Sequence, residues 1–144
     1  MSEKTMNRHE VRVMAMESMY QFLLLHNDDQ ACLNNVEEKE KRMRKCLFEA
    51  MKGKNEVPEL LYDLTIATCE NIDLFMAKIQ TLLREDWDID RLSYIEQAIF
   101  MIAFQEILVV KTPKQVVINE AVTLAKKYCD DNSYKLINGV LDRI

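Results

Sequence analysis

Only two glycines, Gly53 and Gly139, and two prolines, Pro58 and Pro113, interrupt 144 residues, where an average chain devotes about 12% of its length to these two types. Turn-rich β architectures need Gly and Pro at many fixed positions, so a β-sandwich is excluded. The same scarcity removes a GxGxxG or Walker-type phosphate cradle, because each glycine stands alone. Nucleotide-dependent enzymes of those classes go with it. With 49% apolar residues, the chain is long enough for one helical domain with a buried core.

Apolar residues recur at helical spacing along the whole chain. Val11, Met14, Ala15, Tyr20, Phe22 and Leu25 predict a first helix from Asn7, with Asn7 and Glu10 placed to cap it. The polar run 26–30 ends it. A second helix is predicted over 34–52, stopped by Gly53. A third begins at Pro58 and runs for about 26 residues, long enough to contain a break. The acidic segment REDWDID (84–90) interrupts the pattern. A fourth, strongly apolar helix runs from Asp90 or Arg91 to Val110. Thr112-Pro113-Lys114-Gln115 predicts a capped start for a fifth, through Tyr128. Asn132 or Ser133 opens the last, which carries Ile137, Val140 and Leu141. Gly139 lies inside that helix and is read as a close-packing position, since Gly there is about 1 kcal/mol worse than Ala.

Chemistry finds little purchase. Cys32, Cys46, Cys69 and Cys129 include no CxxC pair, and His9 and His26 are the remaining soft ligands. The residues therefore predict no metal, no cofactor and reduced thiols. No nucleophile has an evident base, so no catalytic residue is assigned. The N-terminus lacks an apolar stretch, and no run of 18 apolar residues exists. The expectation is a soluble cytoplasmic protein without a membrane span.

Net charge is −5, which on its face speaks against nucleic acid. Its distribution says more. Residues 1–54 hold 10 basic and 9 acidic side chains, whereas residues 55–144 hold 9 and 15. Lys4, Arg8, His9 and Arg12 cluster where the first helix begins, with Arg8 and Arg12 four apart on one face. That spacing suits two neighbouring phosphates or an ordinary solvated face.

The strings VINEAVTLAKKY (117–128) and SYKLINGVLDRI (133–144) resemble the signature of the NusB family of bacterial transcription antitermination factors. The stretches 89–108 and 12–21 and the Thr112-Pro113 loop extend the similarity over most of the chain. The resemblance implies an all-α fold of six to seven helices in two small bundles packed roughly crosswise, about 1–83 and 84–144 here, within a single domain. It implies binding of single-stranded boxA RNA in nascent ribosomal RNA transcripts, together with NusE, a small-subunit ribosomal protein, in the transcription elongation complex. A homodimer that hides the RNA surface is a further arrangement it allows.

By the same match, Lys4, Arg8, His9 and Arg12 form the RNA-facing N-terminal segment. Tyr128, Asn132, Ser133, Tyr134 and Lys135 lie at or beside the RNA-contacting connector. Tyr128 can stack on an unpaired base or simply end its helix as a core aromatic. The acidic Glu85, Asp86 and Asp88 with Trp87 offer a surface to a basic protein partner. Asn119 and Glu120 read as structural polar residues on the fifth helix. Phe100, Met101, Gln105 and Leu136 depart from the family pattern, and the N-terminal arginines are fewer than usual. The alternative reading is a protein-interaction module of this fold with weak or lost RNA binding.

Overall fold

The structure is a computed structural model that describes residues 6–26, 35–54, 56–84 and 87–144. Among these there is no strand. Seven α-helices follow one another: α1 (Arg8–His26), α2 (Val36–Met51), α3 (Glu59–Leu64), α4 (Ile72–Leu82), α5 (Tyr94–Gln105), α6 (Lys114–Tyr128) and α7 (Ser133–Asp142). Short 3-10 turns lie at Ile66–Asn71 and Ile89–Arg91, and a π-helical turn at Glu106–Val110.

The centre is α5, in which every residue from Gln97 to Gln105 is buried. A helix apolar on all sides must be covered on all sides, and α1, α4, α6 and α7 all pack against it. Phe104 meets Phe75 edge-on at 5.7 Å and Phe100 at 6.2 Å. The core is continuous from Val11 on α1 to Leu141 on α7. α1 rests on both α5 and α2, and α6 pairs with α7.

Local chemistry accounts for the boundaries. Asn7 accepts from the Glu10 N–H at 2.8 Å, as its sequence position suggests. Asn35 caps α2 through the Glu38 N–H, and α2 ends where Lys52 (φ 52°) and Gly53 (φ 84°) turn left-handed. The single third helix expected from Pro58 is divided. Thr65 (φ −115°, ψ −81°) leaves the helical region and its hydroxyl donates to Leu61 O at 2.7 Å, so a 3-10 turn separates α3 from α4. α5 starts at Tyr94 rather than at Asp90 or Arg91, because Ser93 and Glu96 form a reciprocal capping box. At α6 the expected Thr112 cap is not made. Pro113 stands at the cap without a side-chain bond, and the first helical residue is Lys114.

Gly139 also differs from expectation. A Cβ built there meets nothing within 4 Å, so this residue is not a close-packing point; it faces a groove. The departures at Phe100, Met101 and Gln105 all fall in the core, where Gln105 accepts from the Asn71 amide at 3.1 Å.

Candidate nucleic-acid interface

The start of α1 is held by a chain of polar side chains. Arg12 is 4% exposed, with Nε donating to Glu106 Oε1 at 2.9 Å and Nη2 to Glu106 Oε2 at 2.7 Å. Its Nη1 stands 3.7 Å from Glu120 Oε1. Glu120 in turn meets His9 Nδ1 at 3.2 Å through Oε2. Glu106 opens the π-helical turn, and a turn of that kind re-aims side chains locally. The Glu106 hydrogen bonds hold the Arg12 guanidinium above its ordinary pKa, against the opposing pull of burial.

This geometry corrects the expectation that Arg8 and Arg12 meet phosphates together. Arg12 stands in phase with Met16, Met19 and Leu23 on the buried stripe of α1, so its fork is turned inward to two carboxylates. Arg8, one turn earlier at the helix end, is exposed. His9 is half-buried against Glu120. Lys4 lies outside the described residues. Glu120 ties α1 to α6, while Asn119 accepts within α6, from Gln115 at 3.0 Å through its side chain and from the Thr123 hydroxyl at its carbonyl.

The connector between α6 and α7 gathers a second group. Tyr128 is half-buried at the end of α6 with Lys127 Nζ 5.4 Å from its ring centre. Tyr134, in the first turn of α7, carries Lys126 Nζ at 4.8 Å and Lys135 Nζ at 5.9 Å. Two aromatic rings, each with its own lysines, thus flank the connector between α6 and α7. Such cation–π contacts keep lysines near an aromatic surface while leaving their charge in water. Asn132 and Lys135 are exposed; Ser133 is nearly covered, its backbone N–H closing the turn onto Asp130 O at 3.0 Å.

Beside this connector runs a groove of about 1040 Å³. Its lining includes Arg84, Trp87 and Arg91 from the segment before α5 and Asn132, Lys135 and Arg143 from α7 and its ends. Arg143 Nη1 donates to Leu82 O at 2.7 Å, clamping the end of α7 to the end of α4. Trp87 is 38% exposed, with the Arg91 guanidinium 5.7 Å over its ring. Its backbone is pinned by Gln80, whose Nε2 donates to Trp87 O at 3.1 Å and whose Oε1 accepts from the Ile89 N–H at 2.9 Å. Gln80 was invisible as a functional position in the sequence, since an exposed helical Gln carries no signal until its loop partner is known.

Residues 85–88 and 128–135 read as two separate surfaces in the sequence; the fold places Trp87 in one groove with Asn132, Ser133 and Lys135. Asp88 is exposed and accepts from the Asp90 N–H at 3.1 Å, whereas Glu85 and Asp86 lie outside the described residues. Cys129, at the groove edge, has its thiol pushed up to about 11 by burial, with Glu96 and Asp130 adding to the effect. It is a poor nucleophile at neutral pH. Among the described residues no three His, Cys, Asp or Glu side chains group as a metal site, and no helix is long and apolar enough to cross a membrane.

The chain is similar to known proteins over nearly all of its length. It is 31% identical over 140 residues to the transcription antitermination protein NusB of Pediococcus pentosaceus, covering 97% of this chain and 98% of that one. The fold matches a chain in the crystal structure of a plectonemic RNA supercoil with a TM-score of 0.71, at 25% identity and covering 95% and 94% of the two chains. It matches NusB of T. maritima with a TM-score of 0.68, at 24% identity, over 97% and 91%. The NusB family profile covers residues 9–144, and the chain belongs to that family.

Proposed function

We propose that this protein is a transcription antitermination adaptor. It binds the single-stranded boxA element of nascent ribosomal RNA together with NusE in the bacterial cytoplasm, and it works by binding without catalysis. The observation that carries the RNA reading is the pairing of lysines with tyrosine rings on both sides of the α6–α7 connector, Lys127 with Tyr128 and Lys126 and Lys135 with Tyr134, which brings stacking surface and phosphate-seeking charge to that connector. Family membership and the likeness to a chain found with RNA support it. Arg8 adds an exposed cation at the start of α1. Arg12 acts one step back, by fixing that start against Glu106. The acidic connector, with Asp88 exposed, faces a basic protein partner.

The test is a salt titration of binding to a boxA-containing single strand, followed by fluorescence anisotropy with and without NusE. Three to four neutralised phosphates give a log–log slope of about −2 to −3, from about −0.7 each. Absence of binding in the presence of NusE would overturn the RNA reading in favour of a protein-interaction module.

A further inference from the structure

We propose that the groove lined by Trp87, Arg91 and α7 seats one unpaired RNA base on Trp87, its neighbouring phosphates held by Arg84 and Lys135. The proposal rests on the RNA reading above and adds a subsite to it.

Three features point to a base. Trp87 is a large aromatic left partly uncovered in a groove, and a π-face is what every base can stack on regardless of sequence. The ring is held in place, because Gln80 fixes the loop backbone on both sides of Asp88 and Arg91 lies over the ring. A pre-set platform loses little freedom when a base arrives. The volume, about 1040 Å³, lies at the top of the range for small-ligand pockets, with room for a base and the sugar–phosphates on either side.

The charge balance of the groove favours stacking over simple attraction. Among the described residues its cations are Arg84, Arg91, Lys135 and Arg143 and its acids are Glu96, Asp130 and Asp131. Arg143 is engaged by the Leu82 carbonyl, Arg91 by the indole, and Glu96 by the Ser93 N–H of the capping box. Arg84 is exposed, as is Lys135 with its ammonium 5.9 Å from the Tyr134 ring; they come from the two chain segments that line the groove, where phosphates on either side of a stacked base would come to rest. With Asp130 and Asp131 near them, their field is shallow, so the aromatic contact contributes the larger share of affinity.

Trp87 is the only tryptophan in the chain, so its emission reports this groove alone. The full-length protein is titrated with a labelled boxA-containing single strand, reading strand anisotropy and tryptophan emission in parallel. Emission is expected to be quenched along the same isotherm as the anisotropy. Trp87→Ala should weaken binding by about 5- to 150-fold, as loss of one stacked base does. Trp87→Phe should retain most of the affinity, and the salt slope of Trp87→Ala should stay that of the wild type. Gly139→Leu adds bulk to the groove from α7, where a Cβ meets nothing within 4 Å. It should weaken binding comparably while its far-UV spectrum stays that of the wild type.

Binding by anisotropy with unchanged emission, and with Trp87→Ala and Gly139→Leu at wild-type affinity, overturns the proposal and leaves the RNA reading standing. Loss of binding in both readouts overturns both. Emission that responds to the protein partner alone and not to RNA assigns the groove to that partner, and likewise overturns it.

Discussion

Arg12→Ala separates a buried strut from a phosphate ligand. The guanidinium is 4% exposed and Glu106 2% exposed, joined by two bonds of 2.9 and 2.7 Å. Removing the arginine leaves a carboxylate buried with its counter-charge gone, a change that costs about 3–5 kcal/mol. Glu120, 28% exposed at its side chain, can rehydrate and adds little. Against a total stability of about 5–15 kcal/mol, that loss is about a fifth or more of the folding free energy. At about 2–4 °C per kcal/mol for a chain of this size, Tm falls by roughly 6–20 °C. Urea unfolding followed by far-UV circular dichroism should show the midpoint dropping with the m-value unchanged. The double variant Arg12→Met with Glu106→Leu should recover most of the loss, because it removes both charges and keeps the volume. The opposite result is equally specific. If Arg12→Ala costs less than about 0.5 kcal/mol, as a solvent-exposed arginine would, and lowers the salt slope of RNA binding by about 0.7, the strut is refuted and Arg12 is a phosphate contact.

Gly139→Ala should stabilise the protein by about 0.5–1 kcal/mol in the same urea assay, since α7 gains a better helix former and the new methyl meets no neighbour within 4 Å; a loss of stability would show that α7 packs closely there. The Cys129 thiol, pushed up to about 11 chiefly by burial, should be alkylated with a rate whose half-maximum lies near that pH, followed by mass spectrometry of the Cys129 peptide. A half-maximum at the ordinary thiol value of about 8.5 would refute its burial. The sign for stability follows: the raised folded value favours the neutral thiol, so its contribution is complete below the ordinary thiol range and is lost as pH rises toward 11.

The helical class was legible because the scarcity of Gly and Pro and the apolar spacing agree at every scale. Where boundaries moved, short polar side chains moved them. Thr65 breaks the long third helix by donating to Leu61 O, and a hydroxyl that bonds its own backbone leaves no trace in hydrophobic periodicity. Ser93 and Glu96 spell a capping box that is readable in the sequence, yet the acidic run before it imitates an earlier start. Arg12 is readable too: spaced 4, 7 and 11 residues from Met16, Met19 and Leu23, it lies on the apolar stripe, although its charge groups it with Arg8. The groove was not readable, because Arg143 and Leu82 are 61 positions apart and only the folded chain brings the two segments together.

The charge sum takes on a different meaning once each charge has a place. Of the cations in the N-terminal part, Arg12 is turned inward to Glu106 and Lys39 reaches Asp73 at 3.1 Å, so neither adds to an outer field. Among the described residues the cations near aromatic surface are Lys126, Lys127 and Lys135 with the tyrosines and Arg91 with Trp87, all in the acidic part of the chain. Acid and base are interleaved around the groove, where Asp130 and Asp131 line the same surface as Lys135. A field so mixed gives little long-range steering, and recognition falls to short-range stacking and geometry. An RNA site of that kind gains when a second protein supplies charge from outside, which is the arrangement a two-protein RNA-binding unit provides.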